Sequence, residues 1–255
     1  MQTRAPHPCT DGDFIAEIGK LFLHKPYKAE TLEGFHKEKL IVNVSAFDCT
    51  TFVETVLALG RCAVAGNFSK QAFRHNVKSI RYRQGIINGY SSRLHYFTDW
   101  LRDNGEKRLL TDISRQLGGK PQRKKINFMT SHRELYPALE NKAQFNRMLT
   151  IEKNLSRKYF YIIDKDKINQ QTGKINNGDI IAFAANQEGL DVAHAGFVIM
   201  QGKSLRLLHA SQKEGKVVIS NKTLAAYLKS NINFTGILIA RPQQLISKPR
   251  VKHNH

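Results

Sequence analysis

The sequence predicts an α+β fold. Apolar residues recur at helical spacing through the first half. From Tyr159 onward short apolar runs alternate with turn residues. Helices followed by strands, rather than alternating with them, indicate an α+β unit. A chain of 255 residues, 41% hydrophobic and 24% charged, can bury a sizeable core and is not disordered as a whole.

Phe14, Ile15, Ile18, Leu21 and Phe22 form one helical stripe, which predicts a helix over 13–23 ending before Pro26. Phe52, Val53, Val56 and Leu57 predict a second helix over 50–59; as a strand, the segment would place Glu54 on the apolar face. Residues from about 69 to 158 mix short helical patterns with loops, among them the aromatic segment 90–101 and a helix over 141–155. Strands are expected at 180–183, 195–200, 205–208 and 217–219, with turns at Gln201-Gly202-Lys203 and Glu214-Gly215. A helical turn follows at 224–228 and a last strand at 237–240, giving an antiparallel meander.

Forty Lys and Arg against 21 Asp and Glu leave a net charge of +19, which attracts nucleic acid, anionic headgroups or a carboxylate-rich cell wall. The densest cluster is Lys120, Arg123, Lys124 and Lys125, read as a solvated loop; residues 246–255 form a basic tail and 1–12 a mobile start. No apolar run reaches the ~20 residues that span a bilayer. The start also lacks the apolar core of a secretion signal, so the chain is cytoplasmic or its leader has been removed.

Cys9, Cys49 and Cys62 cannot all pair, and Cys49 and Cys62 lie ~20 Å apart along one helix. At least one thiol is therefore free. Cys49 follows Asp48, a good N-cap, and begins the helix, where the dipole and unpaired N–H groups favour a thiolate and can hold an oxyanion. His194 opens the second strand and His209 closes the third. A hairpin around Gly202 brings the two to one sheet edge, as a base and the residue that orients it. Either histidine alone reads equally as a core or strand-end residue.

The segments Asp48-Cys49-Thr50-Thr51-Phe52-Val53-Glu54, Asn177-Gly178-Asp179-Ile180-Ile181, His194-Ala195-Gly196-Phe197 and Leu208-His209-Ala210-Ser211 resemble the NlpC-type branch of papain-like cysteine peptidases. Tyr90-Ser91-Ser92-Arg93-Leu94-His95-Tyr96-Phe97-Thr98-Asp99-Trp100 and Asn127-Phe128-Met129 are similar, more closely, to the bacterial N-acetylmuramoyl-L-alanine amidase-like family. The resemblance implies a papain-like NlpC-type fold. Its helical N-terminal half carries the nucleophile at a helix N-terminus, packed on a C-terminal β-meander or half-barrel. One domain over 13–245 is implied, with about 65–158 a largely helical insertion shaping the cleft.

The resemblance also implies hydrolysis of an amide in the peptide part of peptidoglycan. Cys49 would be the nucleophile, His194 the general base and acid, and His209 the orienting residue. Tyr27 and Asp48 would stand near the oxyanion, and Arg93 and Asp99 would face the charged groups of the substrate. Trp100 reads as a core residue or a sugar platform. No metal or other cofactor is implied. The partner is peptidoglycan or a muropeptide, the chain a monomer, and the location the cell envelope, with the cytoplasm as the alternative. Rival readings are a cysteine amidase or acyltransferase acting on another substrate, a zinc amidase using Cys49, His194 and His209, and a nucleic-acid-binding protein. The last has no recognition motif to accompany its charge.

Overall fold

The computed structural model describes residues 10–33, 37–202 and 204–243; Cys9 and the tail 246–255 lie outside them. The helices are α1 Asp11–Lys20, α2 Cys49–Val64, α3 Lys70–Arg81, α4 Phe97–Glu106, α5 Phe128–Ser131, α6 Lys142–Ser156, α7 Ile168–Gln171 and α8 Leu224–Lys229. The strands are β1 Leu110–Asp112, β2 Lys120–Gln122, β3 Phe160–Asp164, β4 Ile180–Ala185, β5 Val192–Gln201, β6 Ser204–Ser211, β7 Lys216–Ile219 and β8 Phe234–Pro242. Among the described residues no helix is long and apolar enough to cross a membrane.

Helix starts follow their caps. Thr10 and Asp13 close a reciprocal capping box, which starts α1 two residues earlier than the apolar stripe indicates. Asp48 and Thr51 form a second box, so α2 begins at Cys49 itself. It runs through Gly60 to Val64, beyond the expected end at 59. Asn141 caps α6 by accepting from the Ala143 and Gln144 N–H groups.

The sheet is antiparallel, in the order β2-β3-β8-β4-β5-β6-β7. The expected meander is present only from β4 to β7. The final strand does not follow at the far edge; it returns to pair with β4 along Phe234 to Ala240. The other side of β8 is shared by β3, at Gly236 and Ile237, and by β1, from Ala240 to Pro242. The segment about 65–158 therefore contributes two short strands as well as helices. The physical reason lies in β4, whose six residues Ile180–Ala185 are all buried. A strand apolar on both faces belongs in the middle of a sheet with both faces covered.

Period two divides the two cores. Ile180, Ala182, Ala195, Phe197, Leu208 and Ala210 face α1 and α2. Ile181, Phe183, Val198, Leu205, Leu207 and Ile239 face α8. A relay of edge-to-face rings docks α2 on β5: Phe22 on Phe47 at 5.1 Å, Phe47 on Phe52 at 6.0 Å, and Phe52 on Phe197 at 5.8 Å. Each fully buried Phe contributes about 1.5–3 kcal/mol, so this relay fixes where the start of α2 meets the sheet. Gly178, ahead of β4, has φ +76°, and a Cβ there would stand 1.9 Å from the Gly12 carbonyl oxygen; only glycine lets α1 close on this turn.

The basic cluster is not a free loop. Lys120 lies in β2, the Arg123 guanidinium sits 4.4 Å from the Tyr159 ring centroid, and the Lys124 ammonium donates to the Ala185 carbonyl. Trp100 is fully buried, which removes it as a sugar platform.

Candidate active site

Asp48 sets the position of Cys49. Its Oδ1 accepts from the Thr51 N–H at 2.7 Å and from the Thr51 hydroxyl at 2.8 Å, so the carboxylate is engaged in capping beside the thiol. Phe47, the residue before, is tied to the segment at 26–28: Phe47 N–H donates to Pro26, and Lys28 N–H to Phe47. The Tyr27 N–H donates to the Gly215 carbonyl. Tyr27 is thereby held half-buried beside Cys49 and Asp48.

The ladder between β5 and β6 runs from Gln201↔Ser204 to Phe197↔Leu208 and stops there. Beyond that point the backbone N–H of Ala195 approaches the Cys49 sulfur closely enough to favour its thiolate. The residue before Ala195 is His194. Its Nε2 lies 2.7 Å from Nδ1 of His209, with the two rings edge to face at 4.8 Å. The hairpin around Gly202 thus joins the two imidazoles and sets them next to the start of α2. His209 is 2% exposed and His194 half-buried.

The electrostatics differ from the expectation drawn from the helix N-terminus. Burial first, and then the charge of Asp48, push the Cys49 thiol up to about 11. The N–H groups of Ala195 and Thr50 and the Thr50 hydroxyl oppose this without overcoming it. Burial lowers His194 to about 4, and burial with the neighbouring imidazole lowers His209 to about 3, so both rings are neutral near pH 7. Burial, then the charges of Cys49 and Asp48, raise Tyr27 to about 12, leaving a phenol able to donate.

Tyr227 joins this group without having been anticipated. Its ring, on α8, lies 5.4 Å from His209, 6.5 Å from His194 and 5.5 Å from Phe183. Burial and then the charge of Cys49 raise its hydroxyl to about 12. A six-residue helix after the meander carries no sequence signal for such a role.

Arg93 and Asp99 sit among partners of their own. Both oxygens of Asp99 accept from the Arg83 guanidinium, at 3.1 and 2.6 Å. Arg93 is buried, with Glu33 at 3.0 Å, Glu38 at 3.4 Å and the Leu32 carbonyl accepting from Nη1 at 3.3 Å. These residues line a 360 Å³ cavity together with Tyr90 and Glu140. Burial raises the Glu38 carboxyl despite Arg93 and the Tyr82 hydroxyl beside it. Cys62 lies deep in α2 and accepts from the Asn76 amide at 3.3 Å. Among the described residues no three His, Cys, Asp or Glu side chains are arranged to hold a metal ion.

No curated protein matches the chain. A solved structure named an N-acetylmuramoyl-L-alanine amidase, from Bacteroides uniformis, is 38% identical and superposes with a TM-score of 0.87, over 92% of this chain and 99% of that one. A Bacteroides fragilis structure with a provisional xylanase name is 41% identical, with a TM-score of 0.83 over 88% and 99% of the two chains. A Legionella pneumophila protein, at 23% identity and a TM-score of 0.68 over 93% and 92%, shares the fold. The AmiA-like family model, described as N-acetylmuramoyl-L-alanine amidase-like, matches residues 17–237. With so much of its length matched, the chain belongs to the N-acetylmuramoyl-L-alanine amidase-like family.

Proposed function

We propose that the protein is a cysteine hydrolase of the NlpC-type, papain-like class that cleaves an amide bond in the peptide part of peptidoglycan. The observation that carries this reading is the 2.7 Å contact between His194 Nε2 and His209 Nδ1, next to the N–H that meets the Cys49 sulfur. With Nε2 donating to His209, the lone pair on His194 Nδ1 is free to take the thiol proton, and the bond fixes that tautomer.

Both partners start neutral, so proton transfer accompanies attack rather than preceding it. The Cys49 sulfur bonds to the amide carbonyl carbon while His194 accepts the thiol proton. The oxyanion is held by the Cys49 backbone N–H and the Tyr27 phenol. His194 returns the proton to the departing amine, leaving a thioester. A water deprotonated by His194 then releases the acyl group and restores the thiol. The imidazolium formed at each stage strengthens its bond to His209. Glycoside hydrolysis, the chemistry named for the Bacteroides fragilis neighbour, requires two carboxylates across the scissile bond. Beside the thiol stands Asp48, whose Oδ1 is taken up by Thr51.

The charge of +19 fits a substrate carrying stem carboxylates and favours retention at the wall, which makes the cell envelope the proposed location. Mass spectrometry of muropeptides digested by the wild type and by Cys49→Ser tests the proposal and reads which amide is cut, muramoyl–alanine or one within the stem. New amine and carboxyl ends from the wild type alone support it. Identical products from both proteins, or glycan cleavage with intact peptides, overturn it.

A further inference from the structure

We infer that Tyr227 is a positioning residue whose ring holds the His194–His209 pair in its hydrogen-bonded, water-poor arrangement. The inference rests on the proposed use of that pair as base and orienter, and it deepens that reading.

The geometry is that of an aromatic box. His194 stacks on Phe183 at 5.8 Å and 28°, and Phe183 stacks on Phe234 at 4.7 Å and 29°. Tyr227 meets the edge of His209 at 75°, lies closer to parallel with His194 at 34°, and packs on Phe234 at 6.3 Å. It touches both imidazoles and both phenylalanines at once. Phe183 comes from β4, Phe234 from β8, and the imidazoles from β5 and β6, so α8 supplies the wall that the sheet cannot. Leu224 and Leu228, 2% and 0% exposed, anchor that helix in the core, and the Thr223 hydroxyl caps its start.

A ring in this place has two effects. It blocks rotation of either imidazole out of the 2.7 Å contact. It also keeps water from the pair, which is why neither ring charges readily. Tyr227 is a titratable group whose ring meets both imidazoles, and Cys49 stands near Tyr227 at the start of α2; Phe183 and Phe234 add no charge. Among the described residues, neither imidazole has a carboxylate partner. Desolvation, joined at His209 by the neighbouring imidazole, therefore sets their basicity, and a gap in the wall would change it. The Tyr227 hydroxyl has no hydrogen-bond partner among the described residues, so the positioning role belongs to the ring.

The test compares wild type, Tyr227→Phe, Tyr227→Leu and Tyr227→Ala. Its readouts are NMR titration of the imidazole Cε1–H signals, the pH dependence of Cys49 alkylation by iodoacetamide, and kcat and KM on muropeptides. In the alanine variant the imidazole titration is expected to rise by at least one unit, and the alkylation profile to depart from that of the wild type. A kcat loss of about 30-fold or more at nearly constant KM accompanies that rise, since displacement of a catalytic group by ~1 Å costs about 100-fold. The leucine variant lies between, and the phenylalanine variant restores most of the lost rate. If the alanine variant does not fold, the leucine variant carries the comparison. Unmoved titrations in a folded alanine or leucine variant overturn the inference. So does a phenylalanine variant as impaired as the alanine one, which would assign the role to the hydroxyl. Titration and alkylation need no muropeptide, so failure to cleave peptidoglycan leaves this test intact and counts against the substrate alone.

Discussion

Gly196 lies directly against His209: a Cβ added to Gly196 would stand 2.9 Å from the Cβ of His209 and 2.6 Å from the Leu208 carbonyl oxygen. The glycine next but one to His194 is what lets β6 approach closely enough for the two imidazoles to meet.

Gly196→Ala is therefore expected to push β6 away at the point where the ladder ends. The cost to stability is about 1–3 kcal/mol, typical of overpacking in a close-packed core. The loss in kcat is expected to be larger than that cost suggests, about 100-fold, because His209 shifts relative to His194. Chemical denaturation and steady-state kinetics measure the two separately. An alanine variant with wild-type kcat would show that the close approach is not needed.

The pH dependence follows from the histidines. His194 must be neutral to accept a proton, and its pKa lies at about 4 rather than 6.5. The acid limb of kcat/KM is expected near pH 4, with activity retained at pH 5.5, where an ordinary histidine would be mostly protonated. Stability follows the same shift. Between 6.5 and about 4 the unfolded chain binds more protons at His194 than the folded one, so stability is full above pH 6.5 and falls as the pH drops through this window. His209, lowered to about 3, adds to the loss in the same direction. Thermal midpoints measured from pH 7 to 4 check the sign, and a midpoint that rises on acidification would contradict it.

Asp48 raises the Cys49 thiol through its charge while capping the helix through its oxygen, and Asn caps about as well. Asp48→Asn is expected to alkylate several-fold faster than wild type at pH 8 to 9, with a change in stability below about 1 kcal/mol. Thiol titration by ultraviolet absorbance supplies the accompanying pKa. An unchanged alkylation rate would mean that burial alone holds the thiol.

Asp99 is bound on both oxygens by Arg83. Asp99→Asn is expected to lower stability by about 1–3 kcal/mol, as removal of a partly buried ion-pair partner does. Its KM for muropeptide should stay within about twofold, less than the 1.4 kcal/mol that a tenfold change requires. A tenfold rise in KM at unchanged stability would assign Asp99 to the substrate.

Much of the site was legible because its signals are local. Asp48 and Thr51 stand three residues apart, so the cap that places Cys49 is written in four consecutive residues. His194 and His209 flank a turn, and period two carries each to its face. What remained hidden depends on distant partners. The return of Phe234–Pro242 to the middle of the sheet is a pairing across about fifty to sixty residues, without a local pattern. Arg93 and Asp99 have side chains suited to substrate groups, and the sequence does not show that Glu33 and Glu38 pair with the first and Arg83 with the second. The state of the Cys49 thiol turns on burial, which no run of neighbouring residues reveals. Tyr227 escaped for the same reason: its partners belong to other elements.

The central place of β8 has a consequence for the order of events at the ribosome. Until Phe234–Pro242 has emerged, β3 and β4 have no strand between them, and Phe183 lacks the Phe234 ring on which it stacks. Every residue of the Cys–His–His group is synthesised well before that moment, yet the floor beneath the imidazoles arrives last. A nascent chain therefore carries Cys49, His194 and His209 before the strand that completes the sheet beneath them has been made.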